Sequence, residues 1–189
     1  AGPGGKAGLL AGLAEQRGAR LLANERAPHR AALVASATRA VRRGLLGVVA
    51  GDGTRPAWRP GTFDRVLLDA PCSGLGALRR RPEARWRKSP DDLPGLVRLQ
   101  EALLRSALDA VRPGGVVAYV TCSPVLAETS GVVSTVLAGR DDVHLEDAAP
   151  VLPGVPDLRA GEAVLPGTVQ LWPHRQGTDA MYLALLRKA

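Results

Sequence analysis

The sequence is poor in aromatic residues, since Phe, Trp and Tyr together make up 3% of its 189 residues. A core must therefore be built from Ala, Val and Leu, and helices packed on a Val- and Leu-rich sheet suit that supply. No apolar run is long enough to cross a membrane, and no secretory signal is visible. Two cysteines are too few for a disulfide framework, so the sequence favours a reducing cytoplasm.

The common signatures of nucleotide-binding proteins are also missing. The G-x-G-x-x-G pattern does not occur, which argues against NAD as a cofactor. The glycine turn at the start of the chain ends in Lys6, and Ala7 follows where a P-loop has Ser or Thr. The sequence is therefore not typical of enzymes that hydrolyse ATP.

The chain has an excess of positive charge. Its 25 Lys and Arg residues outnumber 18 Asp and Glu residues, which gives a net charge of +7 and an isoelectric point near 10.4. Such a field favours a polyanionic partner, of which nucleic acid is the commonest. The length fits one domain with a full core.

Apolar runs alternate with helical patterns along the chain, which is typical of βαβ units and of an α/β fold with a parallel sheet. The predicted strands are 21–23, 46–50, 65–68, 116–120 and 181–186. The predicted helices end near residue 17, run from 28 to 41, run from about 91 to 111, and end near residue 137, after which 138–167 is predicted as a loop. A glycine turn normally follows a strand, so we expect that the first strand is missing and that the chain is N-terminally truncated.

Three positions at successive strand ends are candidates for binding a cofactor. In an open α/β sheet, ligands lie beyond the carboxyl ends of the strands. A glycine turn lets the backbone approach a ligand, Glu25 follows the next strand, and Asp52 follows the third. Taken singly, Glu25 and Asp52 are better explained as turn or cap residues; together they favour a site. The predicted cofactor-binding residues are Ala1, Gly2, Pro3, Gly4, Gly5, Lys6, Glu25, Asp52 and Asp69.

Cys72 and Cys122 each follow the end of a buried strand. The helix between them is predicted to be a crossover, so the two strands should be adjacent and parallel, with both sulfurs in one cleft. Packing of two small residues and a chance disulfide are the alternatives. No metal site is predicted, because the cysteines lack companions at ligand spacing and the three histidines are scattered.

Three motifs carry a resemblance to a known family. The segments Pro3–Lys6, Asp69–Gly74 (Asp-Ala-Pro-Cys-Ser-Gly) and Thr121–Ser123 (Thr-Cys-Ser) resemble the Fmu/Sun (RsmB-like) family of RNA cytosine-5 methyltransferases. The resemblance covers the whole chain and includes the stretches 79–86 and 172–179. The departures are mild: Gly2 stands where the family usually has Ala, and Asp-Ala-Met-Tyr at 179–182 replaces a usual Asp-Gly-Phe-Phe.

This resemblance implies a fold, a cofactor and a substrate. The fold is a Rossmann-like class I S-adenosylmethionine-dependent methyltransferase, with a mostly parallel, doubly wound sheet and an antiparallel last strand. The expected methyl donor is S-adenosylmethionine, and the expected substrate is carbon 5 of a cytosine in RNA. Small-subunit (16S) ribosomal RNA is the first expectation, and transfer RNA is the alternative. The RNA-recognition region that the family carries ahead of this domain is expected to be absent.

The resemblance also implies a role for three residues. Cys122 would add to carbon 6 of the ring as the nucleophile, Asp69 would protonate N3, and Cys72 would assist loss of the carbon 5 proton and release of the RNA. DNA cytosine methyltransferases instead carry their nucleophile in a Pro-Cys motif, which Pro71-Cys72 also matches. From sequence logic alone, the two cysteines could therefore exchange roles.

A basic stretch follows the Cys72 loop. Together with Lys6, its cations are the predicted RNA-binding residues: Arg79, Arg80, Arg81, Arg85, Arg87 and Lys88. A solvated loop is the ordinary alternative for such a run of charge. We expect Trp86 to anchor this loop to the core, and stacking on a base is the alternative.

Two other readings of the whole chain remain open. One is a methyltransferase acting on a small molecule or a protein, and the other is a non-catalytic fragment that binds RNA or cofactor. The favoured interpretation is a monomeric, cytoplasmic RNA methyltransferase without a metal.

Overall fold

The computed structural model describes residues 1–158 and 165–189, and it is an α/β structure. The chain divides into two compact units, Ala1–Ala57 and Trp58–Ala189. No helix in the described part is both long and apolar enough to cross a bilayer.

The first unit is a two-stranded parallel sheet covered by helices. Its elements are α1 (Gly5–Gln16), β1 (Leu21–Glu25), α2 (Pro28–Ala37) and β2 (Leu45–Ala50). The strands β1 and β2 pair in parallel, as expected for a βαβ unit. A small apolar core joins both helices to the sheet, with Ala7, Ala23 and Val34 buried at its centre.

The second helix is shorter than its sequence pattern predicts. The expected span was 28–41, whereas α2 ends at Ala37 and a 3₁₀ segment, Arg39–Gly44, follows. At the junction, the buried Thr38 donates its hydroxyl proton to the Val34 carbonyl at 2.9 Å. Val41 then has φ −121° and ψ 43°, outside the helical region. The local hydrogen bond of Thr38 thus accompanies a break that apolar periodicity could not reveal.

The second unit contains the larger sheet. Its elements are β3 (Phe63–Asp69), α3 (Leu93–Ala110), β4 (Val111–Thr121), α4 (Ser130–Leu137), β5 (Val143–Glu146), β6 (Val169–Leu171), α5 (Pro173–Gln176) and β7 (Met181–Lys188). The strand order is β3-β4-β7-β5, with β6 also paired to β7. The strands β3 and β4 are parallel, and β7 is antiparallel to β4, β5 and β6. The expected antiparallel last strand is confirmed.

One strand lies where a loop was predicted, and a second lies just beyond that loop, in a stretch with no predicted element. Residues 138–167 were expected to form no regular element, yet Val143–Glu146 pairs with β7. Val169–Leu171 pairs with β7 just beyond that span. Strands of four and three residues are too short to show alternation, and their partner is distant in sequence. The rest of the predicted loop includes residues 159–164, which lie outside the described residues.

Apolar residues of both β4 and β7 alternate with more exposed ones, as period-two burial requires. On β7, Tyr182, Ala184 and Leu186 are buried. Helix α3 covers this core with a stripe that includes the fully buried Leu104 and Leu108. The core therefore fixes the carboxyl ends of β3 and β4 side by side.

Candidate active site

The two cysteines meet at the ends of neighbouring parallel strands. Asp69, the last residue of β3, is in register with Val120 on β4. Just beyond, the Cys72 and Cys122 sulfurs lie 3.5 Å apart. Both residues are partly buried and both are free thiols, so they do not form a disulfide. The prediction that the strands are adjacent and parallel, with the two thiols together, is confirmed.

A close backbone approach holds the Cys72 loop against the end of β4. Gly76 donates its N–H to the Cys122 carbonyl at 2.9 Å, and its own carbonyl accepts from Ala180 N–H at 2.9 Å. A Cβ atom at this position would lie 2.1 Å from the Ala180 oxygen and 2.7 Å from the Cys122 carbonyl. Only glycine fits here, because both neighbours are backbone.

The two sulfurs are linked by a hydrogen bond, and burial adds to its effect on Cys72. The pKa of the Cys72 thiol lies well above its ordinary value, first because it hydrogen-bonds to the Cys122 sulfur and second because it is buried. A thiol with a raised pKa keeps its proton at neutral pH, so Cys72 is suited to donate a hydrogen bond.

A buried carboxylate joins the two cysteine loops, and sequence analysis missed it. Glu128 has no exposed surface. Its Oε2 accepts the hydroxyls of Ser73 and Ser123, each at 2.6 Å. Its Oε1 accepts the Ser73 N–H at 2.7 Å and the Gln100 side-chain amide at 3.1 Å. An acid in a short turn carries no sequence signal of burial, because most such residues face solvent.

Asp69 lies at the carboxyl end of β3, three residues before Cys72, and is exposed. Its position at the strand end is the one predicted from the sequence. In an open α/β sheet, this end of a strand is where ligands bind.

The glycine turn and Glu25 are bound to each other in the first unit. The Glu25 carboxylate accepts the Gly2 N–H at 2.7 Å and the Ala27 N–H at 3.2 Å, and the Ala1 nitrogen lies 3.1 Å away. Burial acts to raise the pKa of Glu25, but these hydrogen bonds outweigh it and lower the pKa to about 2. The turn is held from its other side by Arg30, which donates to the Gly2 carbonyl at 2.9 Å.

The start of α1 has the features of an anion-binding turn. Gly4 has φ +121°, a conformation that glycine adopts readily, and a Cβ atom there would lie 2.7 Å from the Ala37 side chain. No side chain caps the helix at this end, so the first-turn amides point outward from Gly5 and Lys6. Pro3 and Lys6 are exposed. These residues fit a ligand with a carboxylate group.

Asp52 contacts its own loop. Its carboxylate accepts the N–H and the hydroxyl of Thr54 at 2.9 and 2.8 Å, and these two bonds are the first causes of its lowered pKa. This is the local turn contact that the sequence offered as the simpler explanation. Asp52 nevertheless remains exposed at the end of β2, where a second ligand contact is possible.

The basic stretch divides into bound and solvated cations. Arg79 and Arg80 both pair with the nearly buried Asp179, and the Arg80 guanidinium is the main cause of that carboxyl's lowered pKa. The other predicted RNA-binding cations are exposed: Arg81, Arg85, Arg87 and Lys88. Within residues 1–158 and 165–189, no ion pair involves Arg81, Arg87 or Lys88.

The expectation that Trp86 anchors this loop to the core is wrong. Trp86 is 78% exposed, and the Arg85 guanidinium lies over its ring at 4.6 Å. The 3₁₀ segment Pro82–Trp86 has no buried residue, so it turns the ring to solvent.

Among the described residues, no group of three or more His, Cys, Asp or Glu side chains could hold a metal ion.

Comparison of the sequence with known proteins identifies its family. The sequence profile described as 16S rRNA methyltransferase RsmB/F matches residues 1–187. Putative methyltransferase Rv1407 of Mycobacterium tuberculosis is 55% identical over all of this chain and 39% of its own length. Probable ribosomal RNA small subunit methyltransferase B of Bacillus subtilis is 33% identical over all of this chain and 42% of its own length. The chain thus spans about two fifths of these relatives.

Solved structures share the fold. The crystal structure of PH0851 superposes with a TM-score of 0.77 and 29% identity, over 90% of this chain and 37% of that one. NSun6 from Pyrococcus horikoshii, solved with SFG, gives a TM-score of 0.74 at 24% identity, over 90% of this chain and 41% of that one. Because the family profile matches nearly every residue, the chain belongs to the RsmB/F family of 16S rRNA methyltransferases.

Proposed function

We propose that the full-length protein transfers a methyl group from S-adenosylmethionine to carbon 5 of a cytosine in small-subunit ribosomal RNA. The observation that carries this proposal is the pair of free thiols 3.5 Å apart at adjacent strand ends. Membership of a 16S rRNA methyltransferase family supports methyl transfer to RNA. Paired thiols suit this chemistry, because one can bond carbon 6 of the ring while the other helps to release it.

The first unit supplies the residues that hold the methyl donor. The uncapped start of α1, from Gly2 to Lys6, would receive its carboxylate, while Glu25 and Asp52 follow the next two strands. S-adenosylmethionine contributes an electrophilic methyl group on a sulfonium when bound. The hydrogen bond from the Gly2 N–H to the Glu25 carboxylate keeps the turn in one conformation for binding.

The chemistry at the cysteines begins with addition. Carbon 5 of cytosine is a weak nucleophile, so the Cys122 thiolate first forms a bond to carbon 6. Asp69 gives its proton to N3, and the electron pair displaced from the carbon 5–carbon 6 double bond makes carbon 5 nucleophilic. Carbon 5 then takes the methyl group. This sequence needs Cys122 deprotonated, which the hydrogen bond from Cys72 favours.

Elimination completes the reaction. A base takes the proton of carbon 5, the bond between carbon 6 and the Cys122 sulfur breaks with its electron pair kept by the sulfur, and the carbon 5–carbon 6 double bond forms again. N3 returns its proton to Asp69. Cys72 assists here, because its thiol lies within hydrogen-bonding distance of the departing sulfur and stabilises it as a thiolate. Loss of Cys72 would therefore slow release more than addition.

The exposed part of the basic stretch binds the RNA. Arg81, Arg87 and Lys88 are exposed near the Cys72 loop in sequence, and they can contact phosphates. The solvent-facing ring of Trp86 is suited to stack on an unpaired base. Such a base must leave its helix to reach the thiols, which single-stranded or looped RNA allows at least cost. A monomeric state stays a prediction.

A methylation assay with two RNA substrates and a control without RNA tests the proposal. The full-length protein is incubated with methyl-labelled S-adenosylmethionine and with 16S rRNA, transfer RNA or no RNA, and labelled nucleosides are separated after digestion. We expect 5-methylcytidine from 16S rRNA. If 5-methylcytidine is labelled in transfer RNA alone, transfer RNA and not 16S rRNA is the substrate. Label in another nucleoside would overturn the cytosine chemistry. RNA binding without any transfer would identify the non-catalytic alternative.

A further inference from the structure

We propose that Glu128 is a positioning residue that holds the two cysteine loops at the spacing at which their sulfurs meet. Its effect on catalysis rests on the function proposed above, whereas its effect on the distance between the thiols does not. Glu128 lies in the turn between β4 and α4, six residues after Cys122. Its carboxylate oxygens accept hydrogen bonds from the serines that follow the two cysteines, so it positions the thiols through those residues.

The first step of the argument is the symmetry of the contacts. Ser73 directly follows Cys72, and Ser123 directly follows Cys122. Both hydroxyls donate to the same atom, Oε2 of Glu128, at 2.6 Å. The two hydroxyl oxygens are consequently 3.4 Å apart, next to sulfurs that are 3.5 Å apart. One carboxylate oxygen thus sets the spacing of both loops at the residue after each cysteine.

The second step concerns the other carboxylate oxygen, which fixes the Cys72 loop on both sides of the thiol. Oε1 accepts the Ser73 N–H at 2.7 Å and the Gln100 amide at 3.1 Å. The same Gln100 nitrogen donates to the Pro71 carbonyl at 2.8 Å. Cys72 is therefore held by the residue before it and by the residue after it, and both attachments lead to Glu128 and to helix α3.

The third step is energetic. All four contacts use the carboxyl oxygens as acceptors in a fully buried site, where hydrogen bonds are strong and an unmatched donor is costly. Tyr119 on β4 completes the attachment by donating its hydroxyl to the Glu128 carbonyl at 2.8 Å. The side chain and the backbone of Glu128 are both bound, so the spacing of the loops is fixed from β4 as well.

The chemistry of the carboxylate predicts how two variants differ. In Glu128→Gln, an amide oxygen at the Oε1 position keeps its two N–H donors, and the amide nitrogen can donate to serine hydroxyls, which turn to accept. In Glu128→Ala, all four side-chain links are lost, and only the backbone contact with Tyr119 remains. If the position of the two loops matters rather than the charge of residue 128, the Gln variant should keep the thiols close and the Ala variant should not.

The test is a thiol–disulfide equilibrium, which needs no methyl transfer. Each full-length variant is equilibrated with reduced and oxidised glutathione, and the Cys72–Cys122 disulfide is measured by alkylation and mass spectrometry. The two thiols lose two protons and two electrons, and oxidised glutathione takes them up to become two thiols. The equilibrium gives the effective concentration of one thiol at the other. We expect Glu128→Ala to lower it by about tenfold or more and Glu128→Gln by no more than about threefold.

Glu146→Gln is the matched control. Glu146 pairs with Arg187 on β7 and lies outside the cysteine loops. In this variant, the effective concentration of one thiol at the other should stay within about twofold of the wild type. If Glu128→Ala does not fold, Ser123→Ala removes a single link and should lower the value by about threefold. An effective concentration like that of the wild type in Glu128→Ala, or in Ser123→Ala where Glu128→Ala cannot be studied, would overturn the proposal.

Methyl transfer is measured on the same proteins. We expect kcat of Glu128→Ala to fall about 100-fold with KM for RNA within about threefold, and Glu128→Gln to recover most of that loss. If Gln is as impaired as Ala while its thiols remain close, the residue acts through its charge and the positioning role is wrong. If the wild type transfers no methyl group but the thiol equilibria differ as expected, Glu128 keeps its role and only the proposed function fails.

Discussion

At the scale of single residues, the cysteine site depends on a glycine that has no room for a side chain. Gly76 lies between the Ala180 and Cys122 backbones, and no side chain fits there. We expect Gly76→Ala to lower the free energy of unfolding by about 3 kcal/mol or more, since the added Cβ meets backbone that cannot turn away. Urea denaturation measures this change.

Gly95→Ala is the control for that substitution. Gly95 lies in α3, and a Cβ atom there would have nothing within 4 Å. Alanine is the better helix former by about 1 kcal/mol, so this variant should be neutral or more stable than the wild type. A Gly76→Ala protein as stable as Gly95→Ala would show that the Cys72 loop is not packed as described.

The Glu25 carboxylate is expected to make the stability of the fold depend on pH. Its pKa of about 2 is below its ordinary 4.5, so the folded state binds its proton less readily than the unfolded chain does. The carboxylate therefore stabilises the fold above about pH 4.5, and this contribution is lost as the pH falls towards 2. We expect Glu25→Gln to be less stable by roughly 1 to 3 kcal/mol at pH 7 and by less than about 1 kcal/mol near pH 2.5.

The measurement is urea denaturation of the wild type and Glu25→Gln at several pH values. A stability difference that stays constant from pH 7 to pH 2.5 would contradict the role given to the Glu25 carboxylate, because an uncharged contact does not titrate.

At the scale of elements, the proposed function makes the 3₁₀ segment Pro82–Trp86 and the cations after it the surface that binds RNA. Arg87→Glu should weaken RNA binding by about three- to tenfold and lower the slope of log Kd against log salt by about 1. Arg98→Glu, an exposed position on α3 with the same change of charge, is the control. Equal losses for both variants would mean that only net charge matters.

Trp86 tests the same surface without charge. Stacking on one base is worth about 1 to 3 kcal/mol, so Trp86→Ala should raise the Kd for single-stranded RNA about five- to 100-fold. Its unfolding free energy should change by no more than about 0.5 kcal/mol, because the ring is exposed. A large loss of stability with unchanged RNA affinity would restore the role of anchor that the sequence suggested.

The elements themselves were predictable where their signal was local. The strands next to both cysteines contain apolar runs with clear ends, although no residue of β3 is buried, and the apolar stripe of α3 is long. The short strands β5 and β6 exist only because β7 offers them a distant partner. Glu128 and Gln100 were missed for a related reason: their polar groups are buried because residues from other segments satisfy them. A single sequence does not reveal which polar groups meet in the fold.

At the scale of the whole molecule, charge and family point to the same partner. The net charge of +7 favours a polyanion, and the family acts on 16S rRNA. The chain spans about two fifths of the relatives that it matches, so its activity is best measured in the full-length protein. The proposed function requires of this chain that its two thiols meet and that each has its own role.

A covalent-trapping experiment tests this central claim most directly. Full-length Cys72→Ala, Cys122→Ala and the double variant are incubated with S-adenosylmethionine and substrate RNA, then separated on a denaturing gel. We predict that Cys72→Ala accumulates a protein–RNA band that withstands denaturation, while Cys122→Ala and the double variant form no band and transfer no methyl group. A band from Cys122→Ala and none from Cys72→Ala would reverse the two roles, and methyl transfer by Cys122→Ala would contradict covalent catalysis by that thiol.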